Sequence, residues 1–153
     1  MQLTQEHIEA LSSVDNEHKF GVLATTMDGE IHLSSIRFAL TSRMDVAIIY
    51  RAATLKSANI AKVPRAAFQL DNRQAGSAPQ DATSFVRATF IGPVEPLNAG
   101  SAEFEEVKAM YLRKIPEAEP FFKAPDIQLC LLRSAQIRFN KGVGKPTEVL
   151  TPA

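Results

Sequence analysis

The sequence predicts a mainly β protein of the α+β class, an antiparallel barrel of six or seven strands with helices at its edge. Two observations predict it. Short β-forming runs come in hairpin-like succession rather than in strict βαβ alternation, and about seven of them stand against three helical stretches. Composition agrees: 153 residues, 45% hydrophobic and 22% charged, suit one domain over 1–153, with enough buried surface to need no disulfide or structural metal.

The elements follow in order. Thr4 caps a helix read over 5–12, with Glu6 in its first turn, Leu3 and Ile8 spaced as a hydrophobic staple and Leu11 continuing the apolar stripe. Phe20 to Thr26 is rich in β-formers and small residues, Asp28-Gly29 is a two-residue hairpin turn, and Ile31, Leu33 and Ser35 alternate beyond it. Val46 to Tyr50 is a third, well-buried strand ending at Arg51. Thr54 caps a short helix that stops before Pro64, whose ring disfavours helical geometry at Val63. A fourth strand runs from Arg65 to Leu70. Residues 71–83 hold almost no large apolar side chain and predict a long loop. Phe85 to Val94 is a fifth strand, bent at Gly92-Pro93. Ser101 caps a second long helix with Glu103, Glu105 and Glu106 near its start, Arg113 and Lys114 in its last turn, and an apolar face of Phe104, Val107, Tyr111 and Ile115. Pro116 and Pro120 end it, and 127–133 and 135–140 are the last two strands.

Charge excludes several functions. Lys and Arg number 17, as do Asp and Glu, so a general nucleic-acid partner is not expected, and no apolar run reaches a bilayer span. The distribution is uneven, with a net +4 over 43–73 and −3 over 81–126, which leaves room for an anion site in the first stretch. A single cysteine and an N-terminus with neither a basic nor an apolar leader region predict a reducing, cytoplasmic setting.

Most catalytic chemistry finds no motif. His7, His18 and His32 lack metal-ligand spacing and read as surface or turn residues, so no metal site is expected. Cys130 lies in an apolar run and reads as a small buried hydrophobe, and Gly142-Val143-Gly144 lacks the third glycine and the helix of a dinucleotide site, so it reads as a turn. The catalytic residues stay unassigned. The informative stretch is Arg51 to Ser57, where a buried strand delivers an arginine just before a helix N-terminus. Free N–H groups, the Thr54 or Ser57 hydroxyl, Arg51 and Lys56 would cradle a phosphate. The competing reading, favoured by charge pattern alone, is a plain cap with solvated cations.

At these same residues the chain resembles the pyridoxamine-5′-phosphate-oxidase-like flavin-binding split barrels. The resemblance covers about 18–98. It rests on Phe20 to Thr25, the Asp28-Gly29 hairpin, His32 to Phe38, and Ile48 to Arg51 running into Thr54-Leu55-Lys56-Ser57-Ala58-Asn59-Ile60. Pro64 to Phe68 and Phe90 to Leu97 complete it. The resemblance implies a split β-barrel, a homodimer with cofactor between the subunits, and FMN as that cofactor. By motif position it places Arg51, Thr54, Leu55 and Lys56 on the phosphate, with Ser35, Ile36, Arg37 and Tyr50 beside them. Arg87 falls where the family often turns a polar side chain towards the flavin; the plainer reading is an outward-facing strand arginine.

The C-terminal part, Asp126 to Arg133 and Phe139 to Gly144, resembles the tail of haem-utilisation proteins built on the same barrel. There the end reads Gly-Phe-Gly and carries the haem-ligating histidine. Here Val143 replaces the phenylalanine and all three histidines precede residue 33, which ranks haem below FMN. The resemblance thus implies an FMN-dependent oxidoreductase acting on an unidentified small molecule. The alternatives are a haem-binding or haem-utilisation protein and a non-catalytic flavin-binding module. Pyridoxamine-phosphate oxidation itself is not expected, because the family's Arg-x-His substrate segment has no counterpart.

Overall fold

The computed structural model describes residues 1–73 and 81–152. The first helix, α1 (Gln5–Glu17), runs five residues beyond its expected end because Leu11 and Val14 keep its apolar face in the core. Its capping box closes through His7 rather than an acid: the Thr4 N–H donates to His7 Nδ1 at 3.1 Å. His7 is therefore buried, with Nε2 3.1 Å from Glu148 and its ring edge-on to Phe139, and His18 is buried too. The expectation of surface histidines fails for both, because helix ends docked on a barrel carry their caps inward.

Strands β1 (Phe20–Met27) and β2 (Glu30–Arg37) form the expected hairpin, its turn made by Asp28 at φ 53° and Gly29 at φ 83°. There follow β3 (Ala39–Leu40), β4 (Val46–Arg51), α2 (Leu55–Lys62) and β5 (Arg65–Asp71), then β6 (Val86–Pro96) and α3 (Ala102–Lys114). Strands β7 (Ile127–Leu132), β8 (Gln136–Lys141) and β9 (Glu148–Leu150) complete the order. Pro116 and Pro120 do not simply end α3; Pro116–Lys123 forms a 3-10 segment beneath it. Of the expected loop, 74–80 lies outside the described residues, and Ala82–Ser84 is a 3-10 turn.

All strand pairs are antiparallel, in the order β2-β1-β5-β6-β7-β4-β3, with β8 pairing β6 and β9. The curvature comes from β6. Its first half, Val86 to Ile91, pairs with β8, and its end, Val94 to Pro96, pairs with β7. The changeover is at Gly92, where a Cβ would lie 1.8 Å from the Arg133 carbonyl oxygen, so only glycine admits the crossing.

Strand β4 is buried on both faces, which explains its unbroken apolar sequence. Val46, Ile48 and Tyr50 pack inside the barrel with Phe38, Phe68, Phe90 and Phe139. Ala47 and Ile49 turn outward and pack, with Leu129 and Leu131, under Val107, Tyr111 and Ile115, so β4 separates the barrel interior from the α3 layer. Arg133 ties the layers at one end, reaching Glu103 at 2.7 Å, Glu95 at 2.8 Å and Asp45 at 3.3 Å. Among the described residues no helix is long and apolar enough to cross a membrane.

Candidate functional site

The end of β4 supplies the centre of a cleft of about 270 Å³. Strand alternation sends Tyr50 inward and leaves Arg51 exposed at the tip, where the Thr54 hydroxyl donates to the Arg51 carbonyl at 2.8 Å and closes the turn into α2. Thr54 in turn accepts from the Ser57 N–H at 3.4 Å as the helix cap. The helix is pinned from below by Asn59, whose Nδ2 donates to Thr25 Oγ1 of β1 at 3.0 Å, both side chains buried. Strand β2 is not a hydrogen-bonded neighbour of β4, yet sheet curvature brings its end, Ser35 to Arg37, to the same cleft.

Seven of the nine residues singled out from the sequence line this cleft: Ser35, Ile36, Arg37, Tyr50, Arg51, Thr54 and Lys56. Leu55 does not; it is the first residue of α2 and faces solvent. Arg87 does not either. It lies in a separate, smaller cavity of about 150 Å³ with Arg73, Asn140 and the Gly142 to Lys145 turn, its guanidinium 3.4 Å from Asn140 Oδ1. The register explains the separation: Arg87 lies in the half of β6 that pairs with β8, not in the end that pairs with β7 beside β4.

Sequence reading passed over Phe20, Ile49, Tyr111, Phe121 and Ile127, which build the apolar walls. Phe20 and Phe121 are half-exposed aromatics at the cleft. Tyr111 looked like one more member of α3's apolar face; no periodicity signals that its ring closes a cavity.

The electrostatics are mixed. Arg37 sits over the Phe20 ring, 5.6 Å from its centroid. Lys56 has no ion-pair partner among the described residues. Arg51, by contrast, is engaged: its Nε donates to Asp126 Oδ1 at 2.6 Å, which holds the Asp126 carboxyl below the usual carboxylate range and raises the guanidinium further. Tyr50 Oη accepts from the Cys130 thiol at 3.2 Å; burial pushes the phenol well above its ordinary range and the thiol up to about 11. The Tyr111 hydroxyl is fully buried and has no hydrogen-bond partner among the described residues, and burial raises its pKa as well. His7, His18 and His32 do not line the cleft.

No family model matches the sequence, and no curated protein resembles it at the sequence level. The fold is informative. The structure superposes on a heme binding protein from Mycobacterium smegmatis with a TM-score of 0.81 at 21% identity, covering 97% of this chain and 59% of that one. The chain thus spans little more than half of that relative. HutZ, the heme storage protein from Vibrio cholerae, matches with a TM-score of 0.67 at 16% identity over 99% of this chain and 96% of the other. A putative pyridoxamine 5′-phosphate oxidase from Listeria innocua matches at 0.64 and 11% identity, over 86% and 96%. The fold is the split barrel shared by the pyridoxamine-phosphate-oxidase and haem-utilisation proteins.

The expected ranking of FMN above haem is overturned by this comparison, since both heme proteins superpose at higher TM-scores than the oxidase.

Proposed function

We propose that this chain is a haem-binding protein of the split-barrel fold, its ligand seated in the cleft at the end of β4. The observation that carries the reading is the union, in one cleft, of apolar walls with three cations set against one carboxylate. That pattern complements an amphipathic plate with two carboxylates on one edge. Arg37, Arg51 and Lys56 would hold the propionates, with Thr54 and the α2 N-terminus beside them. Phe20, Ile36, Ile49, Phe121 and Ile127 would cover the ring and exclude water from it.

Haem supplies a redox-active iron when bound. Among the described residues the lining holds no histidine, cysteine or methionine to ligate the iron, so the contacts proposed are with the propionates and the ring, and the reading is one of binding or storage.

The ligand would be shared by two copies. Phe20, Val22, Ile31 and Leu33 are all substantially exposed, Ile31 at 70%, and the β1/β2 register puts them on one outer face. Phe20 and Ser35 of that face also line the cleft, so a second copy seated there would close it.

The test is haemin titration of the purified chain, followed by the Soret band, with its mass measured in solution. The wild type is expected to bind stoichiometrically as a dimer. Arg51→Ala with Lys56→Ala should weaken binding by about 10- to 100-fold. A spectrum identical to that of haemin in buffer overturns the haem reading, and a wild-type monomer overturns the shared site.

A further inference from the structure

We infer that the smaller cavity, where β6 begins and β8 ends, is an oxyanion site that takes the phosphate group of a small phosphomonoester on Arg87 and Lys145. It shares no lining residue with the cleft at the end of β4, and it stands whether or not that cleft holds haem.

Sequence and register place both cations. Antiparallel pairing sets Arg87 opposite Asn140, so strand alternation puts the two side chains on one face of the sheet. Thr147 fixes the Asn140 amide, accepting from Nδ2 at 3.0 Å and donating to Oδ1 at 3.2 Å, and the same Oδ1 accepts from the Arg87 guanidinium at 3.4 Å. That contact orients the arginine and leaves its remaining N–H groups without a partner among the described residues. Lys145 arrives by another route. Gly142 at φ 87° and Gly144 at φ 73° fold the chain back after β8, and the Gly142 N–H pins the turn by donating to the Phe85 carbonyl at 2.7 Å. A Cβ on Gly142 would lie 3.3 Å from Lys145 Cγ, so the glycine leaves room for the lysine stem across the turn. Lys145 makes no ion pair among the described residues.

Charge decides what the cavity takes. Its lining holds three cations and, among the described residues, no carboxylate. Arg73 is spent on Asp71 at 3.1 Å and lies over the Phe85 ring, 5.8 Å from its centroid, so it forms a wall. Arg87 and Lys145 remain as two unneutralised positive charges, the complement of a phosphate monoester carrying about −1.5 to −2 at neutral pH. The guanidinium presents paired N–H donors to phosphate oxygens, and the ammonium adds a point charge on a flexible stem. A volume of about 150 Å³ suits one such head. Val143, 64% exposed, and Phe85 give the organic part of an ester an apolar surface that inorganic phosphate cannot use.

The experiment titrates the full chain with phenyl phosphate and with inorganic phosphate at low ionic strength, by calorimetry and by the shifts of backbone amides in NMR spectra. The wild type is expected to bind phenyl phosphate several-fold more tightly than inorganic phosphate, with the shifts centred on Gly142 to Lys145. Arg87→Gln and Lys145→Gln should each weaken phenyl phosphate about 10-fold, the worth of one charge-assisted contact. Both positions are exposed, so the variants should keep the wild-type fold. Arg51→Ala with Lys56→Ala, which disarms the cleft, should leave phenyl phosphate binding within about twofold of wild type. A wild type that binds neither phosphate overturns the inference and leaves the haem reading standing. Binding that is lost in the cleft variant but kept in Arg87→Gln also overturns it, because the anion then sits at the end of β4. Equal affinity for the two phosphates overturns the ester as the ligand.

Discussion

Thr25→Val tests how the cleft at the end of β4 is held to the barrel. The substitution keeps a β-branched side chain of nearly the same volume on β1 and removes only the hydroxyl that accepts from Asn59 Nδ2 at 3.0 Å. Thr25 is 1% exposed and Asn59 2%, so water cannot replace the lost partner. Asn59 Oδ1 is already without a partner among the described residues, so the whole amide would be stranded in the core. The cost is expected at about 1–3 kcal/mol, a fall in melting temperature of roughly 3–10 °C for a chain of this length. Urea unfolding at constant m-value measures it. The companion variant, Thr25→Val with Asn59→Leu, removes both polar partners and should recover much of the loss, since an apolar pair of similar shape carries no desolvation penalty. A single variant within about 0.5 kcal/mol of wild type, or a double variant no more stable than the single, would refute the reasoning. Because Asn59 pins α2, Thr25→Val should also loosen the Thr54 turn and weaken haemin binding more than an exposed substitution such as Glu9→Gln.

Two other outcomes follow from the fold. Burial pushes the Cys130 thiol up to about 11 from its ordinary 9.0, so above about pH 9 the unfolded chain loses this proton while the native chain keeps it. Stability should therefore fall by about 2 kcal/mol between about pH 9 and 11, on top of the contributions of Tyr50 and Tyr111; urea midpoints across that window should fall less steeply for Cys130→Val, and an unchanged slope would count against the assignment. Gly92→Ala would place a methyl group 1.8 Å from the Arg133 carbonyl oxygen, backbone that cannot step aside without breaking the β6 crossing. Loss of soluble folded protein, or a drop of several kcal/mol in urea, is expected, and a near-neutral variant would show that β6 does not cross there.

The strand succession was legible because local chemistry dictates it. Asp28-Gly29 can hardly do other than turn a hairpin, Pro64 halts α2 two residues before β5, and the continuous apolar run of β4 announces burial on both faces. The short strands β3 and β9 were not legible, since two or three residues carry no period. The 3-10 segment was hidden behind Pro116 and Pro120, which read as stops. His7 and His18 were misplaced because a cap that docks inward looks in sequence like one that faces water.

By itself, the sequence determined the cationic turn between β4 and α2. Arg51, Thr54 and Lys56 lie within six positions of one another, and strand end, cap and helix start are local consequences of their order. Tertiary structure alone decided what surrounds that turn. Asp126, 75 positions from Arg51, reaches it only because β7 pairs antiparallel with β4, and the same pairing sets Ile127 opposite Arg51. Tyr111 and Phe121 arrive from the α3 layer, while the register of β6 on β8 carries Arg87 to a different cavity. Contacts so distant along the chain depend on strand order and sheet curvature, which no window of neighbouring residues encodes.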